Sequence, residues 1–370
     1  MNAISVEGLD RLRRMGATTL ARTLATRNNN FNLLRLIAAS LVIYAHSFPL
    51  LLGPSSGPGG GAADWFYDWT GIIAGGLAVQ AFFVMSGIMV TQSFERSRTV
   101  WIFIRARILR IYPALVVCVL LCALMLGPAM TSVGLLNYLS DARVWRFIAV
   151  NSSLTSLEIQ LFLPGVFESN PISGYVNGSL WTLPWEILMY VGLTAAGVLG
   201  LLRGSAVTLT ICLCSLLIYI SEPALGEPVF RHKLVLCASF SSYFFVGVLL
   251  YLWRERIKLN WITLGVSVAV WTLACSQLRE HPLALLLYVP ALAYLIINLA
   301  SVPGGFIRGY GRFGDYSYGT YIYAYPVQQL LVSLYGFSGP LSLTLTALLA
   351  SWALAFCSWH LIESPALKYK

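Results

Sequence analysis

The stretch FNLLRLIAASLVIYAHSFPLLL, residues 31–52, decides the fold class of this chain. It is apolar and long enough to cross a bilayer, which takes about 20 residues of α-helix. It nevertheless contains Arg35 near its start and His46 deep inside. With about 3.6 residues per turn and about 1.5 Å of rise per residue, the two side chains lie on nearly the same face, roughly 16 Å apart along the axis. Ionisable groups in a spanning helix usually face a cavity or a partner, so this helix is predicted to line an active site.

The composition extends this interpretation to the whole chain. Of its 370 residues, 58% are hydrophobic and 11% are charged, whereas a soluble domain has about 25% charged residues. Apolar runs predict spans at 31–52, 71–93, 111–130, 179–202, 206–221, 234–253, 260–277, 283–301, 317–335 and 341–361. With both termini inside, most of the 24 lysines and arginines fall on the cytoplasmic side. The expected fold is an all-α, polytopic transmembrane helical bundle of about ten spans with both termini cytoplasmic.

The chain divides into three predicted segments. Residues 1–30 are rich in arginine and have no apolar signal core, so a basic cytoplasmic tail is favoured over a nucleic-acid-binding arm. Residues 31–365 form the transmembrane domain, with an extracytoplasmic loop at about 131–178 that is long enough to be functional. Residues 366–370 form a cytoplasmic end. The seven cysteines fall in apolar stretches, which favours buried thiols, and no metal site is predicted.

Two side chains are candidates for catalysis. His46 can take a proton from a hydroxyl near neutral pH. Glu186, in GSLWTLPWEILMY (residues 178–190), lies in a span that enters from the outside, about 10 Å deep and roughly level with His46. We therefore predict that the carboxylate orients the imidazole. The alternative is that Glu186 bonds a nearby serine or a backbone group freed by Pro184.

Arginines at the inner end of the third span are candidates for binding an anionic donor. Arg107 and Arg110, three residues apart in RARILRIYPAL, share one helical face and suit phosphate oxygens. Anchoring by positive charge at the inner membrane edge would also place arginines there, and it is the more common reason.

Candidate substrate contacts come from aromatic and small residues. Trp181, Trp185 and Tyr190 are suited to stacking on a sugar ring, with an interfacial aromatic belt as the alternative. Ser86, in FFVMSG, is a further candidate, although close helix packing is the more common role of Ser-Gly inside a span.

Taken in order, these motifs make the chain resemble the acyltransferase-3 family of membrane acyltransferases. The resemblance extends from about Asn29 to Pro365 and is carried by NNFNLLRLIAASLVIYAHS, FFVMSG, RARILRIYPAL, LPGVFESNP, VNGSLWTLPWE, SYGTYIYAYP and HLIESP. It implies transfer of an acyl group, commonly acetyl, from cytoplasmic acetyl-CoA or another acyl-CoA to a hydroxyl of an extracytoplasmic or lipid-linked carbohydrate. It also implies a multi-pass protein in the bilayer of the bacterial inner (plasma) membrane, with no metal and no nucleic-acid partner.

The resemblance also implies roles for individual residues. The family's essential arginine and histidine match Arg35 and His46. Its donor-linked Arg-x-x-Arg element matches Arg107 and Arg110, and its acid after SLW matches Glu186. Many members have a histidine where this chain has Ala324, so no second histidine role is expected. The chain stops at Lys370 without the hydrolase-like domain of some members, so direct transfer to the acceptor is expected.

Two mechanisms and two protein classes stay open at this point. His46 acts either as a general base or as a transient acyl carrier. The competing class is a membrane transporter or a flippase of a lipid-linked saccharide. Transporters often have inverted repeats and several intramembrane acids. This chain has one deep acid and no visible repeat, which favours the enzyme.

Overall fold

The computed structural model describes residues 18–26, 28–54, 64–221, 228–278 and 281–370. Within these ranges the chain is mostly helical and has almost no sheet, as predicted. The strands of the described residues form one antiparallel pair, β1 (Thr18–Thr19) with β2 (Lys258–Leu259).

The main helices follow one another along the chain, with the longest helix-free connection of the described residues at 154–177. They are α1 Leu20–Ala25, α2 Phe31–Leu52, α3 Trp65–Thr70, α4 Ala74–Arg96, α5 Val100–Leu121, α6 Leu135–Ser140, α7 Ala142–Ser153, α8 Leu183–Val198, α9 Ser205–Ile220, α10 Pro228–Leu252, α11 Trp261–Gln277, α12 Leu285–Ser301, α13 Ser317–Leu334 and α14 Pro340–Ser358. Two of them continue through a π-helical turn, α5 to Met130 and α14 to Leu367. Short 3-10 helices lie at Gly178–Thr182, Leu201–Arg203, Pro282–Ala284 and Gly305–Arg312.

Five helices of the described residues are long and apolar enough to cross a bilayer. They are Phe31–Leu52, Ala74–Arg96, Val100–Met130, His232–Leu252 and Pro340–Leu367. A sixth candidate is α12 together with Gly305–Arg312, which bend by 89° at the break between them. A helix lies at each of the ten predicted spans, but α8, α9 and α11 have only 16, 16 and 17 residues. A multi-pass helical protein is therefore supported, while ten spans and cytoplasmic termini stay predictions.

Helix α5 begins earlier than the predicted third span. The prediction began at residue 111, but the helix begins at Val100, so Arg105, Arg107 and Arg110 lie inside it. Thr99 caps this end, because its hydroxyl oxygen accepts the backbone N–H of Ile102 at 3.2 Å. Hydropathy missed these first turns because arginine is polar, yet arginine is a good helix former.

The chain forms two compact units that interleave in sequence. Unit 1 comprises the described parts of Met1–Leu34, Ala81–Gln92 and Gly200–Gly314. Unit 2 comprises those of Arg35–Gln80, Ser93–Leu199 and Asp315–Lys370. Ser86 is therefore in unit 1, whereas every other candidate site residue is in unit 2.

In unit 1, part of the predicted cytoplasmic tail is folded. Leu20 is fully buried, and its backbone N–H donates to the carbonyl of Ile257 at 3.1 Å. The Gln92 side chain donates to the carbonyl of Leu24 at 2.8 Å. Residues 1–17 and Arg27 of the predicted tail lie outside the described residues.

Two glycines bring α4 and α10 into backbone contact within unit 1. A Cβ added to Gly87 would lie 2.0 Å from the carbonyl oxygen of Phe244. One added to Gly247 would lie 2.2 Å from the carbonyl oxygen of Val84. Small residues permit such close approach, so helix packing explains the glycine of FFVMSG.

We expect Gly87→Ala to destabilise the protein by about 1–3 kcal/mol, the usual cost of overpacking a tight contact. The added methyl group meets backbone atoms, which cannot move aside as a flexible side chain would. The measurement is the free energy of unfolding from a denaturant titration in detergent.

Gly192→Ala on α8 is the matched control. An added Cβ there meets no atom within 4 Å, so we expect unchanged or slightly higher stability, because alanine is the better helix former. Equal stabilities of the two variants would contradict the close contact at Gly87.

In unit 2, the predicted extracytoplasmic loop at about 131–178 contains α6 and α7 and is fastened to α13. The side-chain amide of Asn170 donates to the backbone and side-chain oxygens of Gln329 at 3.0 and 2.7 Å. The Gln329 side chain donates to the carbonyls of Ile172 and Tyr175 at 2.9 and 2.7 Å. The Gln329 side chain thus supplies a partner for the carbonyls of Ile172 and Tyr175, which lie outside the helices.

Candidate active site

Arg35 and Arg110 meet at one carboxylate in unit 2. Arg35 Nη1 lies 2.9 Å and Arg110 Nη2 lies 2.5 Å from the same oxygen, Asp315 Oδ2. The other end of Arg110, Nη1, lies 3.3 Å from Glu363 Oε2. These side chains expose 20% (Arg35), 13% (Arg110), 11% (Asp315) and 2% (Glu363) of their surface. We call these four residues the charge cluster.

The sequence interpretation missed both acids of the charge cluster. Asp315 immediately precedes α13, and Glu363 lies in the π-helical continuation of α14, beyond the predicted span 341–361. Glu363 is 1% exposed in the candidate span Pro340–Leu367, so it is a more deeply buried acid than Glu186, which is half-buried. A signal was present in the sequence: arginines inside spanning helices need counter-charges. One such counter-charge, Glu363, is part of the HLIESP motif.

The charge cluster fixes the ionisation of Asp315. Burial alone would raise the pKa of this carboxyl group, but Arg35 and Arg110 outweigh burial and lower it. Hydrogen bonds from the Ser317 hydroxyl at 2.5 Å and its backbone N–H at 3.3 Å lower the pKa further. Asp315 is therefore anionic at neutral pH, where it neutralises part of the charge of the two guanidinium groups.

Arg107 joins Glu186 and Tyr190 in a second polar group. The Tyr190 hydroxyl donates to Glu186 Oε1 one helical turn away on α8, and the Glu186 carboxylate lies within electrostatic range of Arg107. Arg107 Nη2 donates to Ser93 Oγ at 3.3 Å, while Arg107 Nε is buried without a hydrogen-bond partner among the described residues.

The three predicted donor-binding arginines lie within electrostatic range of one another, since Arg35 and Arg110 both act on Arg107. The structure thus brings together Arg35, Arg107, Arg110, Glu186 and Tyr190. Within the described ranges, no three His, Cys, Asp or Glu side chains are close enough to hold a metal ion.

His46 contacts an aromatic ring of α13. Its imidazole lies edge-on to Tyr325, with ring centroids 5.2 Å apart and ring planes at 80°. The side chain is half-buried, and its Nδ1 is buried without a hydrogen-bond partner in the described part of the chain. Glu186 is bonded to Tyr190 in this structure, and its pairing with His46 stays a prediction.

Ala324, at the place where many acyltransferase-3 members have a histidine, is fully buried. It packs with Ile43 of α2 and Ala347 of α14, both also fully buried. Ala324 therefore makes a small apolar contact beside α2.

The predicted substrate contacts differ in exposure. Trp181, in the 3-10 helix Gly178–Thr182, is 37% exposed, whereas Trp185 and Tyr190 are 3% and 8% exposed. An exposed indole is accessible to an acceptor or to lipid, while the other two rings pack mainly against protein. Ser86 is half-buried in unit 1, and its predicted role as a substrate contact stays a prediction.

Comparison with known proteins gives the family. Residues 28–361 match an acyltransferase domain. The chain is 29% identical over 352 residues to a protein of Shigella phage Sf6 named O-acetyl transferase, covering 92% of this chain and 96% of that protein. It is 28% identical over 382 residues to nodulation protein 10 of Rhizobium leguminosarum bv. viciae, covering 92% of this chain and 94% of that protein. No solved structure matches the chain. Because the matched domain extends over nearly the whole sequence, this protein belongs to the acyltransferase-3 family.

Proposed function

We propose that the protein is an O-acetyltransferase of the bacterial inner membrane. It moves an acyl group, acetyl by default, from cytoplasmic acyl-CoA to a hydroxyl of an extracytoplasmic or lipid-linked carbohydrate. Family membership and the phage relative named O-acetyl transferase support the reaction class. The observation that carries the proposal is the arrangement along α2: arginines gather at Arg35, and a half-buried imidazole lies roughly 16 Å further along the same helix.

The arginines suit the nucleotide end of the donor, because guanidinium groups bind phosphate oxygens through paired hydrogen bonds. Arg107 has a buried Nε without a partner among the described residues, and Arg35 retains 20% exposure. Arg110 is bonded to Asp315 and Glu363 at its two ends. Arg35 and Arg107 are therefore proposed to contact phosphate, and Arg110 to orient the site and add positive charge.

His46 is proposed to act where the donor's thioester meets the acceptor. As the acceptor oxygen attacks the thioester carbonyl carbon, the imidazole takes the hydroxyl proton. A carbon–oxygen bond forms, the carbon–sulfur bond breaks, and the departing thiolate receives the proton from the imidazolium. Glu186 is proposed to stabilise that imidazolium. In the alternative route the imidazole nitrogen attacks the thioester carbon first, the carbon–sulfur bond breaks and CoA leaves as the thiol with the imidazole proton. The acceptor hydroxyl then attacks the acyl-histidine, which frees the imidazole with the hydroxyl proton.

The test uses the full-length protein in lipid vesicles, with radiolabelled acetyl-CoA and a pool of bacterial envelope saccharides. We expect CoA thiol to be released, and label to reach saccharide, only when both substrates are present. His46→Ala should abolish both signals. The proposal is overturned if no acceptor pool releases CoA, or if saccharide crosses the vesicle membrane without CoA consumption, as a flippase requires. Label found on the His46 peptide after quenching would select the acyl-histidine route.

A further inference from the structure

The turn of α2 that carries His46 is fixed by a buried polar network. The side-chain amide of Gln328 donates to the carbonyl of Ile43 and to Ser47 Oγ, both at 2.8 Å. The Thr344 hydroxyl donates to the same Ser47 Oγ at 2.9 Å. Gln328 and Ser47 are fully buried, and Thr344 is 4% exposed. Helices α13 and α14 thus fix this backbone, which leaves the imidazole free only about its own side-chain torsions.

Tyr325 is the side chain that restricts those torsions. Its ring meets the imidazole edge-on, the arrangement that aromatic rings prefer over face-to-face stacking. Tyr325 is 6% exposed, so its ring is itself held by packing. A tyrosine ring has few rotamers and little freedom to move once it is enclosed.

Gly178 fixes the Tyr325 ring in turn. A Cβ added to Gly178 would lie 2.7 Å from Cε2 and 2.8 Å from Cζ of Tyr325. The backbone therefore lies directly against the ring, with no room for a side chain. This contact joins the 3-10 helix Gly178–Thr182 to α13, at the residue that faces His46.

We propose that Tyr325, backed by Gly178, is a positioning residue that sets the orientation of the His46 imidazole. The inference rests on the proposed function of His46 and adds a residue that this function does not itself require. The contact is made by the ring, so the hydroxyl group is dispensable. Misplacing a reacting group by about 1 Å can cost about 10²-fold in rate, which sets the size of the expected effect.

The test compares Tyr325→Leu, which removes the aromatic edge, with Tyr325→Phe, which keeps it. We expect Tyr325→Leu to lower kcat by about 10²-fold with an unchanged KM for acetyl-CoA, because the arginines that bind the donor are elsewhere. Its pH–rate profile should also change, because the imidazole leaves its packed environment. Tyr325→Phe should restore parental kcat, KM and pH profile.

Gly178→Ala provides a second route to the same result if Tyr325→Leu does not fold. The added methyl group displaces the Tyr325 ring without removing it, so kcat should again fall while the KM for acetyl-CoA stays constant. Gly192→Ala, where an added Cβ meets no atom within 4 Å, should behave like the parent.

The possible outcomes separate this inference from the proposed function. If His46→Ala is inactive but Tyr325→Leu or Gly178→Ala has parental kcat and pH profile, the positioning role is overturned and the proposed function stands. If Tyr325→Phe is as defective as Tyr325→Leu, the hydroxyl group is responsible and the ring-contact argument fails. If His46→Ala is active, the proposed function fails, and this inference fails with it.

Discussion

Replacing His46 with alanine is expected to lower kcat by about 10²–10⁴-fold, the usual contribution of a general base. The reason is local: the imidazole is half-buried beside Tyr325, on a helical turn whose backbone is fixed by Gln328 and Ser47. Alanine is a good helix former, so the turn itself should persist. The measurement is the initial rate of CoA release and acceptor labelling in vesicles, together with the thermal unfolding midpoint.

His232→Ala on α10 is the matched control, because this histidine is exposed and belongs to unit 1. It should keep the parental rate. Free imidazole added to His46→Ala should restore part of the activity if the lost group acts chemically. An inactive variant with a strongly lowered unfolding midpoint and no imidazole rescue would instead indicate a structural role for His46.

The second large effect is expected at Arg110. Arg110→Ala should destabilise the protein by about 3–5 kcal/mol, the cost of removing one partner from a buried ion pair. The substitution takes away the guanidinium that bonds Asp315 and Glu363, and those side chains are only 11% and 2% exposed. Arg35 still neutralises the Asp315 carboxylate, so most of the destabilisation comes from Glu363, which loses its guanidinium partner. The free energy of unfolding from a denaturant titration in detergent measures it.

Arg105→Ala is the control for this experiment, because Arg105 is exposed on the same helix, and we expect a change within about 0.5 kcal/mol. Adding Glu363→Gln to Arg110→Ala should recover part of the lost stability, since the uncompensated carboxylate is then removed. If Arg110→Ala is as stable as Arg105→Ala, the charge cluster does not hold the fold together.

The sequence alone predicted several features that depend on residues close together in the chain. The length and apolarity of residues 31–52 predicted α2, whose bounds agree with the structure. The sequence motifs carried a family resemblance that the matched domain confirms. Glu186 and Tyr190 are one helical turn apart and are bonded, a local contact that the sequence analysis did not predict because it paired Glu186 with His46.

The sequence was insufficient where distant segments meet. Arg107 and Arg110 are three residues apart, yet Arg107 is within electrostatic range of Glu186 whereas Arg110 bonds Asp315 and Glu363. Periodicity within α5 carries no information about which acid approaches which arginine, because those partners come from other helices. The start of α5 was missed for a related reason: Arg110 is polar in a hydropathy profile, yet in the fold it is largely buried and paired with Asp315 and Glu363.

The charge cluster has a consequence for how the protein is made. Arg110 and Asp315 are separated by 205 residues, and translation delivers the arginine first. The guanidinium groups of Arg35 and Arg110 are therefore without Asp315 and Glu363 while most of the remaining chain is synthesised. A polypeptide truncated before residue 315 would contain Arg35 and Arg110 without the two carboxylates that bind them in the folded protein. Synthesis of residues 315–363 therefore completes the charge cluster.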